Sequence, residues 1–336
     1  MKAKALICNE NQEFSIEAVV LEDPTANQIV IRNHYSGVSI GTEFAVIKKK
    51  IFWGNFPTCT GYMGTGIVEQ VGDNIKDFAI GDKVYYRKNE PMTLASNGTP
   101  VSNTGGVHCS RIVIDPSDVY GAAHLPPGAD MEKCCMFVMP AVGLHGVNMA
   151  NPRMGEIVVV HGCGMIGLGS IAACVNRGCT VIAVDLNRKR LDVASKLGAK
   201  YLIDGQSQNL EAEVSKIAPN GVDLVIECTG IPEHIDKTVP LCRLYGKFTW
   251  QGNYGDKPVS IDYQQITGRK LTMFFPCDDG LQPCRSAVIN SMTTGMLPWQ
   301  YCITHRITAD EAPELYRRIN TGEEKDLIGA VICWKE

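Results

Sequence analysis

The segment that most limits what this chain can fold into is residues 156–185. It reads EIVVV, then HGCGMIG, then an apolar stretch to about Arg177, then TVIAVD. Residues 156–160 form a short unbroken apolar run, as expected of a strand buried on both faces of a parallel sheet. Directly after it, Gly162, Gly164 and Gly167 fall in the spacing Gly-x-Gly-x-x-Gly. That spacing is a weak signal by itself in a chain with 33 glycines. The setting strengthens it, because a buried strand precedes the turn, a helix follows, and a second strand ends in Asp185. Gly162 then permits a tight turn, Gly164 lets the backbone approach a pyrophosphate, and Gly167 lets helix and strand pack closely. Met165 and Ile166 open the helix, whose free N–H groups and dipole favour an anion. A carboxylate at Asp185 accepts hydrogen bonds from the ribose hydroxyls of NAD and repels the 2′-phosphate of NADP. Arg188 and Lys189 offset part of that repulsion, so NAD is the expected cofactor. Arg190, Cys228, Thr229 and Gly252 complete the expected cofactor-binding set. A βαβ turn with no ligand is the plainer alternative.

The alternation continues beyond Asp185. Asn187 caps an expected helix from Arg188 to Leu197, with Gly198 as its stop. A strand at 201–203, a helix at 209–217, a strand at 223–227, a helix at about 232–242, and strands at 247–251 and 271–274 follow. Strands alternating with helices indicate a doubly wound parallel sheet. The first 145 residues instead show short strand-like runs separated by Gly, Pro, Asn and Asp, without helical periodicity. After residue 275 there is one clear helix pattern, 309–320, and a closing strand, 328–334. A length of 336 residues suits two domains. The expected division is 1–147, completed by 275–336, for the β-rich domain and 148–274 for the nucleotide domain.

The formal net charge is -4, and Lys48-Lys49-Lys50 is a local basic cluster in the first domain. It reads as a solvated loop, and neither nucleic acid nor a membrane is an expected partner. The fourteen cysteines are scattered, several inside apolar patterns, with no Cys-x-x-Cys pair. They read as free, buried thiols of a reducing compartment, and no signal-peptide pattern opens the chain. A cytoplasmic location is expected.

The runs SGVSIGTE (36–43), GYMGTGIVEQVG (61–72), GDKV (81–84), GGVHCSRIVI (105–114), DLVIECTG (223–230) and ITHRI (303–307) join the glycine-rich segment. With them the chain resembles the medium-chain dehydrogenase/reductase superfamily over nearly its whole length. It is most similar to the polyol and sugar dehydrogenase side, and to the branch containing hydroxyethyl-bacteriochlorophyllide dehydrogenase. The resemblance implies an α/β protein: a GroES-like β-rich catalytic domain plus a Rossmann nucleotide-binding domain, assembled as a homodimer or homotetramer. The zinc-dependent members hold catalytic zinc through three positions that here fall at Ser39 or Ile40, Tyr62, and at or near Met139. None of these is a usual zinc ligand. Residues 87–104 also lack the four cysteines of the structural zinc lobe. No metal is expected, with Cys59, His108 and His145 the remaining donors should one bind.

Without zinc, a side chain must manage the hydroxyl proton. Tyr62 stands where relatives have a ligand, and is either the proton-transfer group or a cleft-wall aromatic. Glu43 is either catalytic or a cap or ion-pair group. His145 is either a base or a structural hydrogen-bonding group. Ser39 and Thr42 are relay candidates. Phe52, Trp53 and Phe56 either wall a pocket or belong to the core. The expected function is zinc-independent, NAD-linked oxidation of a small-molecule secondary alcohol: a polyol, sugar, amino-polyol or cyclitol. The rivals are an NAD(P)H-dependent reductase of a polarised C=C or C=N bond and a non-catalytic NAD(H)-binding protein.

Overall fold

Buried apolar runs and capped helices build the middle of the chain as the sequence leads one to expect. A computed structural model describes residues 1–255 and 257–335. Its contacts divide the chain into two compact units, Met1–Phe137 with Ile303–Glu336, and Val138–Cys302.

In the second unit the strands lie in the order Tyr201–Asp204, Thr180–Asp185, Ile157–His161, Val222–Glu227, Cys242–Trp250 and Thr272–Phe274. All pairs are parallel. Chain order reverses between Ile157–His161 and Val222–Glu227, which is the switch point where ligands enter such sheets. The helix Arg188–Lys196 starts at Asn187, whose side chain accepts from Lys189 N and Arg190 N. Asn209 caps Leu210–Ile217 in the same manner. The expected helix at 232–242 is shorter. Its α-helical part is Glu233–Thr238, a 3₁₀ turn carries Val239–Leu241, and Cys242 already belongs to the next strand. Pro240 supplies no N–H to continue the ladder.

A helix at Leu281–Thr294 went unanticipated, and it belongs to this unit. So does Val138–Ala150, which crosses Met165–Asn176 closely. A Cβ added at Gly143 would lie 2.5 Å from Ser170 N, and one at Gly169 would lie 2.6 Å from Pro140 Cα. These two helices are why the units divide at 137/138 and 302/303, where the sequence pattern put 147/148 and 274/275.

The first unit contains a closed barrel and a larger, mostly antiparallel sheet. The long strand Ile29–Val38 pairs with Gly64–Val71, Arg111–Ile114 and the C-terminal strand Ala330–Cys333. The tail from Ile303 is thereby sewn into the N-terminal sheet. A short helix, Thr42–Ile47, interrupts the β-rich segment. Its Phe44 and Ile47 pack with Leu315 and Tyr316 of the helix Ala312–Thr321. Phe52 and Trp53 are 79% and 51% exposed, so they are not core, whereas Phe56 packs against that cluster. Lys48, Lys49 and Lys50 are exposed, and all fourteen cysteines are free. Among the described residues no helix is long and apolar enough to cross a membrane.

Candidate functional site

The second unit presents the glycine-rich turn at the switch point. Gly162 has φ +95, a conformation in which L side chains are strained. A Cβ on Gly167 would lie 1.9 Å from Gly162 O, so no side chain fits there. Gly164 is the opposite case, since an added Cβ would meet nothing within 4 Å. Its open side is the approach a pyrophosphate requires. Gly164 also forms the N-cap of Met165–Asn176, with no side chain bonded to the helix start. The N–H groups of the first turn, including Met165 and Ile166, are therefore uncapped by side chains and suited to an anion.

Asp185 ends the neighbouring strand. Its Oδ2 accepts Cys163 N–H at 2.7 Å and its Oδ1 accepts Asn187 N–H at 2.7 Å. Arg190 Nη1 is 4.0 Å away. The carboxylate is thus locked in place at the end of the strand beside the turn. Cys228 and Thr229 follow the strand Val222–Glu227, with Cys228 N–H bonded to His161 O at 2.8 Å. Gly252 donates its N–H to Glu227 O at 3.0 Å. All ten residues of the expected cofactor set therefore cluster around the ends of four adjacent strands in one unit.

The first unit brings Ser39, Glu43 and Tyr62 together. Tyr62 donates its hydroxyl to Ser39 Oγ at 2.5 Å. Ser39 N–H donates to Glu43 Oε1 at 2.7 Å. Burial pushes the Tyr62 phenol up, and the charge of Glu43 adds to it, against the opposing bonds from Ser39 and Thr42 and the Arg87 charge. The Arg87 guanidinium lies 5.5 Å from the Tyr62 ring centre.

Glu43 is fully buried beside His108, with Glu43 Oε2 and His108 Nε2 3.1 Å apart. Tyr316 donates to Glu43 Oε2 at 2.7 Å. Burial opposes ionisation, but His108 and the bonds from Ser39 and Thr60 outweigh it and hold the Glu43 carboxyl below its ordinary value. The other face of His108 meets Ser36 Oγ at 2.8 Å, and Trp334 Nε1 donates to that same oxygen at 2.8 Å. A buried charge survives only when paired and hydrogen-bonded in this way.

His108, Tyr316, Ser36 and Trp334 were not anticipated as a network around Glu43. The bonded pairs Ser36–His108, Glu43–Tyr316 and Ser36–Trp334 are 72, 273 and 298 residues apart, and only the folded first unit brings them together. His145 belongs to the other unit, on Val138–Ala150. A Cβ at Gly280 would lie 2.7 Å from its Nδ1, so the ring packs against the start of Leu281–Thr294. Met139 is buried on the same helix as His145. Cys59, His108 and His145 form no shared-ion group among the described residues.

Comparison with known proteins agrees with this organisation. Residues 25–126 match the family described as alcohol dehydrogenase GroES-like domain, and residues 166–277 match zinc-binding dehydrogenase. The chain is similar to a sorbitol dehydrogenase of Halalkalibacterium halodurans, 24% identical with 96% of this chain and 97% of the relative covered. It is 25% identical to an erythritol/L-threitol dehydrogenase of Mycolicibacterium smegmatis, with 96% of each covered. Among solved structures, the 2R,3R-butanediol dehydrogenase of Bacillus subtilis superposes with a TM-score of 0.85 at 21% identity, covering 98% of this chain and 99% of that one. The two matched domains, in this order and on this fold, make the chain a member of the medium-chain dehydrogenase/reductase superfamily.

Proposed function

We propose that this chain is an NAD-dependent dehydrogenase of secondary alcohols, of the polyol or sugar type, that works without a catalytic zinc. The observation that carries the reading is the Tyr62–Ser39 hydrogen bond at 2.5 Å. It joins two positions that in zinc-dependent relatives belong to the metal. In the first unit those positions offer a hydroxyl and a phenol pushed up in pKa, with the apolar Ile40 next to Ser39 in the chain, and the third family position, Met139 of the second unit, carries a thioether. None of these is an imidazole, thiolate or carboxylate, and the nearby Glu43 carboxylate and His108 imidazole are bonded to each other, to Ser39 N–H and to Tyr316, so the family positions do not fit zinc. The polyol reading draws on the two relatives named for sorbitol and erythritol/threitol.

The turn at Gly162–Gly167 and the locked Asp185 carboxylate fit a nicotinamide dinucleotide. A bound nicotinamide would supply the hydride chemistry at the carbinol carbon. The chain's residues bind and handle the proton. Asp185 takes the ribose hydroxyls and disfavours a 2′-phosphate. Tyr62 remains a neutral phenol at neutral pH; its one proton, given to Ser39 Oγ in the free protein, turns to the substrate oxygen as Ser39 donates its own hydroxyl to Tyr62. In the reducing direction it gives up its proton to that oxygen and regains one through Ser39. In the oxidising direction the pair runs in reverse. Glu43 positions this pair through the Ser39 amide.

The test is turnover of a polyol panel with NAD before and after exhaustive chelation. Retained turnover is expected. Turnover that vanishes on chelation and returns with zinc, in wild type and in His161→Ala alike, overturns the zinc-free reading.

A further inference from the structure

His161 ends the strand beside the glycine-rich turn, and Glu227 is its register partner on the adjacent strand. His234 lies in the helix Glu233–Thr238 that follows Glu227. The proposed chemistry uses none of the three side chains. One donor atom from each lies within 4.8 Å of the other two. His161 Nδ1 is 3.1 Å from Glu227 Oε1, and the two imidazole rings are 4.9 Å apart at an interplanar angle of 72°.

The Glu227 side chain is completely buried, with the His161 ring against it. Thr229 donates both its N–H, at 3.0 Å, and its hydroxyl, at 2.5 Å, to Glu227 Oε1. The Tyr254 hydroxyl donates to Oε2. Thr229 Oγ1, 3.0 Å from His234 Nδ1, orients that ring.

We infer that His161, Glu227 and His234 form a binding site for a divalent first-row transition-metal ion of the Zn²⁺ type. Two imidazoles and one carboxylate are an established zinc donor set that leaves a fourth position for water. Thr229 and Tyr254 form the outer shell that fixes the carboxylate. Tetrahedral zinc places its ligand atoms about 3.3 Å apart, so the widest separation closes by roughly 1.5 Å. His234, partly exposed on a helix of six residues, makes that movement. The ion ties the ends of two neighbouring strands to that helix. The site lies in the nucleotide unit, and its existence does not depend on how Tyr62 acts.

The experiment uses the full chain, stripped by chelator and dialysed against Zn²⁺. Bound metal is counted, and thermal melting is followed with and without the ion. Wild type is expected to take up the ion and melt at a higher temperature. His161→Ala and His234→Gln are expected to bind at least about 100-fold more weakly, and Thr229→Val about 10–100-fold more weakly. Co²⁺ in place of Zn²⁺ is expected to give no thiolate charge-transfer band, which separates this site from any built on cysteines. Metal-free melting of His234→Gln at the wild-type temperature shows the variant folded. No uptake by wild type overturns the inference. So does uptake and a melting shift unchanged in both histidine variants, or a Co²⁺ spectrum dominated by thiolate.

Discussion

Glu43 Oε1 accepts the backbone N–H of Ser39 at 2.7 Å. Through this bond, the buried Glu43–His108–Tyr316 cluster fixes the residue that accepts the Tyr62 hydroxyl. The cluster therefore holds the hydroxyl pair from behind, while Tyr62 is the partly exposed member.

That layering predicts unequal effects of substitution. Tyr62→Phe is expected to lower turnover by roughly 10²–10⁴-fold. NAD affinity is expected to stay nearly intact, because the phosphate-binding turn belongs to the other unit. Glu43→Gln and His145→Gln are the comparison variants, followed by steady-state turnover and NADH titration. Near-normal turnover in Tyr62→Phe, with collapse in one of the other two, moves the proton-handling role to that residue.

The same cluster predicts an acid limb of stability. The folded state holds Glu43 below its ordinary pKa of about 4.3. Its contribution is full above that value and is lost as pH falls through the lower, folded-state pKa. Glu43→Gln is expected to lose about 3–5 kcal/mol at pH 7, because it leaves His108 and Tyr316 without their buried anion. It should also show a shallower loss of stability below about pH 4. Urea unfolding across pH 3–7 checks both. A variant whose stability parallels wild type at every pH removes Glu43 from this account.

Gly167→Ala tests the fit at the turn. The added Cβ would sit 1.9 Å from a backbone oxygen, Gly162 O, which cannot swing aside as a side chain would. A loss of about 1–3 kcal/mol in stability is expected from such overpacking. NADH affinity should fall with it, since Gly162 must move. Gly164→Ala, which meets nothing within 4 Å in the free protein, should leave stability unchanged and weaken only NADH binding. Equal melting temperatures for Gly167→Ala and wild type would contradict the packing argument.

The nucleotide unit was legible because its signals are local. Apolar strand runs, the glycine spacing, and Asn187 and Asn209 at helix starts all act within a few residues. Leu281–Thr294 hid for a local reason as well. It is rich in Ser, Asn and Thr, and Ser286, Ser291, Thr293 and Thr294 each bond back to the carbonyl four residues earlier. Such residues are weak helix formers and blur the apolar stripe. The surroundings of Glu43 were illegible for a different reason. Its partners His108 and Tyr316 arrive from the connection between the strands Pro100–Asn103 and Arg111–Ile114 and from a C-terminal helix, and no spacing in the sequence links them. His161 and His234 escaped notice because each is a lone histidine, 73 positions apart, until adjacent strands bring them together.

Cofactor choice rests on Asp185. Its carboxylate is held by Cys163 N–H and Asn187 N–H, both at 2.7 Å, so it cannot turn away from an incoming ribose. A 2′-phosphate would have to approach this fixed negative charge, with Arg190 at 4.0 Å from the carboxylate as partial compensation. NAD(H) is therefore expected to bind more tightly than NADP(H) by at least tenfold, or about 1.4 kcal/mol. Asp185→Asn retains the shape and one acceptor while removing the charge, and should narrow the gap without unfolding the turn. Asp185→Gly should narrow it further, at the cost of leaving Cys163 N–H without its acceptor. Fluorescence titrations of NADH and NADPH against the three proteins separate charge from shape. Equal affinities for the two cofactors in wild type, or a gap that survives in both variants, would mean that Asp185 does not set the preference.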